Sequence, residues 1–375
     1  MPETPEIDHD GPPTTSGRAV ARFAGRLVLF GIALALGAEL FFRTVVPAAE
    51  TPIVWQDDTL RLRRFDPAGP RDGQWTSGRR AEQRALWHIN NLGWNCPFDY
   101  LPDTAREKPV LAFAGDSQFE GMYIDWPDHI AARVAARTDG RSLGYSFASS
   151  GYKLSQYILV ARHLAAEHIT PKALILFINQ GDFHQSLVER GGADSTHQLR
   201  LQHTDSGMKE LLPANYGVTP WRRAMRQSAL ARYLVFNARL NPWKRGPVEF
   251  AMREQGEQPE DDALADPLYV EAFDYSVREM RKALPKTRLV FLVDADRASL
   301  YRQNARPATL GTSPLIAARC PALGCELVDL TDAFTAAYLA DGGRLNYDHN
   351  FHWNPRGHDV AAEAVLQRLR PHLGF

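Results

Sequence analysis

Apolar positions along this chain change character at Pro109. From there, short unbroken apolar runs alternate with stretches of helical period. The runs lie at Val110–Ala114, Ser142–Phe147, Ala173–Ile178, Arg288–Val293 and Glu326–Leu330. They lack in/out alternation, as strands covered on both faces do. Helical period predicts helices over Asp128–Arg137, Leu154–Glu167 (capped near Ser155), Asp266–Leu284 and Pro355–Leu369, with a short helix end at Leu315–Arg319. Pro355 suits the first turn of the last of these. Strands alternating with helices predict an α/β fold, a parallel five-stranded sheet with helices on both faces.

Before Pro109 the pattern is different. Met1 to Gly17 is polar, acidic and rich in Pro and Gly, and reads as a disordered tail. Arg18, Arg22 and Arg26 precede Leu27–Ala38, an uninterrupted apolar run, and Leu40-Phe41-Phe42 extends it past Glu39. A helix over Leu27–Ala49 would be about 34 Å long, enough for a bilayer core. The favoured division is a cytoplasmic tail (1–26), a signal anchor (27–49) oriented N-in by its arginines, and an extension (50–108). Two other readings compete: a cleaved signal peptide ending near Val46-Pro47-Ala48, and a buried soluble helix, which Glu39 favours. Trp87–Trp94 is a candidate strand and turn packed on the main sheet. Residues 182–266, between the third and fourth strands, are too many for a plain crossover. They read as a mostly helical insertion over the C-terminal sheet edge. Its stretch Trp221–Leu240 is amphipathic and basic; a solvated face is the simpler reading, and an anionic membrane surface or polymer the alternative.

Composition narrows this picture a little. The 375 residues are 44% hydrophobic and 23% charged, enough for a sizeable core. A formal net charge of −1 gives no electrostatic reason to expect nucleic acid. Three cysteines are too few for a disulfide scaffold. Cys320 and Cys325 are either a local disulfide in an oxidising compartment or two unpaired thiols; spacing alone leaves both open.

Chemistry concentrates at two ends of the α/β region. Gly115-Asp116-Ser117 ends the first strand, at the sheet edge where open α/β proteins bind ligands. Read alone, it is equally an ordinary turn or helix N-cap. A serine hydroxyl needs a base, an orienting group and oxyanion donors. Asn346–His358 follows the fifth strand and returns to the same edge. Within it His352 is the base candidate and Asp348 the group that would fix its tautomer, with His349 and His358 as rivals. No carboxylate cluster accompanies these histidines, so no metal and no cofactor are assigned.

Gly115-Asp116-Ser117 with Gly121, paired with a C-terminal Asp…His-x-Asn-x-x-Gly-His, resembles the SGNH/GDSL hydrolase superfamily over roughly 109–375. The resemblance implies a flavodoxin-like three-layer αβα sandwich and acyl transfer. Ser117 would be nucleophile and first oxyanion donor, and His352 the base. Gly151 would be the second donor, with Asp116 and Asp182 supporting. Two departures stand out. The third-block asparagine position is occupied by Gly181, so Asn179 or Gln180 would have to supply the third donor. The usual aspartate position, three before the histidine, is His349, and Asp348 is the nearest carboxylate. The resemblance implies a serine esterase acting on O-acyl, chiefly O-acetyl, esters of an extracytoplasmic carbohydrate or a small ester. The domain would be periplasmic and tethered to the inner membrane. Similarity to alginate-type O-acetyltransferases leaves a transferase, with a membrane-bound acyltransferase partner, as an alternative. A catalytically silent carbohydrate-binding or assembly subunit is another.

Overall fold

The computed structural model describes residues 17–190, 197–238, 240, 263–348 and 350–374. The tail Met1–Ser16, His349 and the segments 191–196 and 241–262 therefore lie outside the described residues. The chain opens with helix α1 (Gly17–Thr44). Five parallel strands follow: β1 (Val110–Ala114), β2 (Leu143–Ser146), β3 (Ala173–Ile178), β4 (Arg288–Val293) and β5 (Cys325–Asp329). Their order is β5-β4-β3-β1-β2. This is the flavodoxin-like order, in which the chain reverses direction between β1 and β3 and opens a crevice at the C-terminal edge.

Alternate residues of each strand feed two cores. Val110, Ala112 and Ala114 face one, with Leu289 and Phe291; Leu111 and Phe113 face the other, with Val290 and Leu292. Helices α2 (Gln156–Ala166), α3 (Pro267–Ala283) and α4 (Thr312–Leu323) cover the first face. Ile130–Ala136, Thr331–Asp341 and Pro355–Leu373 cover the second. All six residues of β3 are buried, and each large side chain there contributes about 1.5–3 kcal/mol of hydrophobic burial. This two-sided burial is why the runs show no alternation.

The helix starts follow local chemistry. The Asp266 side chain accepts from Leu268 N, and the Asn354 side chain accepts from Gly357 N ahead of Pro355. The expected Ser155 cap differs: its hydroxyl donates instead to Leu199 O, at 2.7 Å. Cys320 and Cys325 are disulfide-bonded, joining the end of α4 to the start of β5. The described residues of the insertion are less helical than expected. It holds a β-hairpin, Arg200–Thr204 with Gly207–Leu211, alongside short helices at Pro220–Gln227 and Ala229–Arg232.

The stretch 50–108 folds onto the sheet. It contains two antiparallel hairpins, Val54–Gln56 with Arg63–Phe65 and Asp72–Ser77 with Gln83–His88. Trp94 is fully buried against Phe147. Tyr100 stacks on Tyr145 at 3.9 Å. Its hydroxyl both receives the Ser146 N–H (2.7 Å) and donates to the Ser146 carbonyl (3.0 Å). The free edge of β2 is thereby capped by a side chain.

Candidate active site

Ser117 opens a single helical turn, Ser117–Glu120, directly after β1. Asp116 caps that turn by accepting from Gln118 N at 2.8 Å. Gly121 closes it at φ 72°, a left-handed value that costs glycine little. Ser117 itself is half-buried and its neighbours are buried.

The next residue connects the two ends of the chain. Gln118 donates its amide to Phe351 O (3.2 Å) and accepts from Trp353 N (2.8 Å). Those are the two residues flanking His352. One side chain adjoining the serine thus holds the histidine loop on both sides. Arg297 adds a second clamp, donating to Phe351 O at 2.7 Å while paired with Asp294 at 2.9 Å. That ion pair is buried, and Trp353 Nε1 also donates to Asp294.

His352 is buried, its ring stacked on Tyr123 at 3.8 Å. Its Nδ1 faces Asn350 Oδ1 at 3.2 Å. The amide of Asn350 is oriented by donating to Gln83 Oε1 (2.9 Å), and Gln83 donates in turn to Tyr123 O (2.9 Å). Asn350 therefore presents its oxygen, which selects the tautomer with hydrogen on Nδ1. Nε2 is left as a lone-pair acceptor, buried and, among the described residues, without a hydrogen-bond partner. Burial, reinforced by the Arg297 guanidinium, pushes the imidazole down to about 3. Asp348, expected behind the imidazole, lies exposed, and among the described residues no hydrogen bond joins it to His352. His358 is placed elsewhere, accepting from Ile130 N in the second core.

The other residues expected as oxyanion donors lie on the loops after β2 and β3. Gly151 follows β2 at φ 84°. Its carbonyl is fixed by Gln198 (2.7 Å), and the Ser150 carbonyl by Arg63 (2.5 Å). Among the described residues no hydrogen bond occupies the N–H of Ser117 or of Gly151. Asn179 donates its Nδ2 to Asp116 at 2.6 Å, so this amide braces the turn that carries Ser117. The Asp182 carboxylate receives the Asn179 N–H (3.0 Å) and lies 3.7 Å from Lys153 Nζ, ordering the loop after β3. Burial, with Asp294 nearby, holds the Asp116 carboxyl above its ordinary range against the pull of Lys153. Burial likewise raises Glu120, which accepts from Ser150 N at 2.9 Å.

The chain is similar to carbohydrate esterases and GDSL lipases. A carbohydrate esterase family 2 enzyme from Corynascus thermopiles (Myceliophthora fergusii) is 13% identical over 76% of this chain and 70% of its own, with a TM-score of 0.36. A GDSL-like lipase from Parabacteroides merdae is 13% identical over 69% and 94%, with a TM-score of 0.35. An acetyl xylan esterase from Butyrivibrio proteoclasticus is 12% identical over 71% and 64%, with a TM-score of 0.34. No family model and no curated protein matches the chain.

Gln118, Asn350, Gln83, Tyr123 and Arg297 are absent from the sequence-derived site. Two had a usable signal: Gln118 adjoins the serine and Asn350 stands two residues before the histidine. Gln83 and Tyr123 come from the hairpin region and the loop after the serine turn, and reach the histidine only through tertiary packing.

Proposed function

We propose that this chain is a serine-dependent ester hydrolase of SGNH type, acting on O-acyl, chiefly O-acetyl, esters of a carbohydrate outside the cytoplasm. The observation that carries the reading is the Gln118 bridge. It ties the residue after Ser117 to both neighbours of His352, whose Nε2 is buried and has no hydrogen-bond partner among the described residues.

In this mechanism Ser117 Oγ attacks the acyl carbon as His352 Nε2 takes its proton. Oxyanion charge falls on the N–H groups of Ser117 and Gly151. His352 returns the proton to the departing sugar oxygen, leaving an acyl-serine. Water, deprotonated by His352, then attacks the acyl carbon. Collapse frees the acid and restores Ser117. Asn350 holds the imidazole tautomer that both half-reactions need, in the position where a carboxylate stands in the serine triad.

The extracytoplasmic setting is supported by α1 and by the disulfide. Ala19–Thr44 is long and apolar enough to cross a membrane, with a mean hydropathy of 1.8. Arginines on its N-terminal side favour N-in, C-out. The Cys320–Cys325 bond suits an oxidising compartment.

The test compares wild type with Ser117→Ala on a chromogenic acetyl ester, with and without an acetylated oligosaccharide. Wild-type turnover with at least about a 10³-fold loss in the variant is expected. Equal rates would remove the enzyme reading. Acetyl transfer to an added unmodified oligosaccharide, in place of acetate release, would convert the assignment to transferase.

A further inference from the structure

The foot of α1 is built into the insertion rather than standing apart from it. Glu39 lies in the last turns of the apolar helix, where a lone carboxylate is out of place. It accepts from Ser228 Oγ, Ala229 N and Leu230 N, each at 2.9 Å. It therefore satisfies the first free N–H groups of Ala229–Arg232, the role of a capping side chain. Arg43 donates to Gln227 O at 2.7 Å. Phe42 stacks on Tyr233 at 3.7 Å. Just beyond the helix, Ala49 N donates to Asn237 Oδ1 (3.0 Å), while Asn237 Nδ2 donates to Thr76 Oγ1 (3.0 Å). Gln227–Tyr233 thus sits at the same level as the C-terminal end of α1.

The segment itself is one-sided in charge, although Arg232 lies 3.8 Å from Glu50 and Arg226 donates to Pro52 O. Thr219 to Ala238 carries Arg222, Arg223, Arg226 and Arg232 and no acidic residue. Trp221 is 61% exposed beside them. Where an apolar helix leaves a bilayer, arginines meet lipid phosphates and an exposed tryptophan fits the headgroup boundary.

We propose that the end of α1 and the segment Pro220–Asn237 form one collar seated on the anionic phospholipid surface, and that α1 stays attached in the mature protein. This rests on reading α1 as a membrane span. Cleavage after Ala48 would take Glu39 and Arg43 away and strip the cap from Ala229 and Leu230. The collar also lies close to the catalytic histidine. Phe236 is 6.0 Å from Trp75, Trp75 is 5.3 Å from Tyr123, and Tyr123 is 3.8 Å from His352, ring to ring. The site is therefore held near the bilayer surface.

The experiment uses the full chain in phosphatidylcholine–phosphatidylglycerol vesicles containing lipid brominated on the upper acyl chain. The expected result is tryptophan quenching by the bromolipid, with loss of a quenched component in Trp221→Phe. That component should weaken when phosphatidylglycerol is left out. The exposed position of Trp221 leaves folding unaffected. Mass measurement of the mature chain should show Glu39 and Arg43 retained. Identical lipid quenching in wild type and Trp221→Phe, or a chain beginning after Ala48, would overturn the proposal. Neither readout depends on ester hydrolysis, so a failure here is distinct from a failure of the enzyme reading.

Discussion

At the scale of single residues the unusual feature is an amide where a carboxylate is expected. Asn350 orients His352 but adds no negative charge, and Arg297 lies near. Burial and that guanidinium keep the imidazole near 3, a weak base for a serine hydroxyl. Asn350→Asp should raise the imidazole pKa through an adjacent charge. The acid limb of kcat/KM should then move up by a unit or more, and activity at neutral pH should rise about tenfold. A pH–rate profile of both proteins checks this; an unmoved limb would show that Asn350 does not face the imidazole during turnover. The site is unevenly legible in the sequence for the same reason. Ser117 and its turn are local, so a strand, Gly115 and Asp116 announce them. The choice between Asp348 and Asn350 depends on Gln83, 267 residues away, and no spacing rule encodes that contact.

Among elements, the loop 346–354 is the piece that must be held still. It is clamped from the turn after β1 by Gln118 and from the segment after β4 by the Asp294–Arg297 pair. Arg297→Met removes one charge of a buried pair and leaves Asp294 uncompensated, a change that costs roughly 3–5 kcal/mol. Chemical denaturation should show that loss, with an acid limb displaced upward in the surviving activity because the cation beside His352 has gone. Gln118→Leu should act differently. It unties Phe351 and Trp353 without stranding a charge, so kcat should fall by about 10-fold or more with a smaller change in stability. Denaturation and steady-state kinetics on both variants separate the two effects. The regular elements are the legible part here. β1, β3 and β4 match their apolar runs because burial on both faces leaves a plain signal. The insertion hairpin escapes notice because Arg200–Thr204 and Gly207–Leu211 are polar and short, with few apolar positions to set a period.

For the whole molecule, buried histidines set the response to acid. Burial lowers His129 to about 4 and His163 to about 3, alongside His352 at about 3. These rings stay neutral in the fold, whereas in the unfolded chain they take up protons below about pH 6.5. The unfolded state then binds more protons, so their stabilisation is complete above 6.5 and is lost as pH falls toward 4. Asp116 and Glu120, raised by burial, act in the opposite sense at the lower end of that window. With these three histidines set against the two raised carboxylates, Tm should drop by roughly 5 °C or more between pH 7 and 4.5. Calorimetry across that range tests it, and a flat profile would refute it. The same scale gives the Tyr100 contact its meaning. An open β-strand edge is an invitation to pair with another chain, and β2 is the outer strand of this sheet. The hydroxyl that occupies both polar groups of Ser146 works as a built-in guard against self-assembly. A fragment cut at Pro109 loses that guard along with Gln83, so it would fail by self-association as well as by a loosened Asn350.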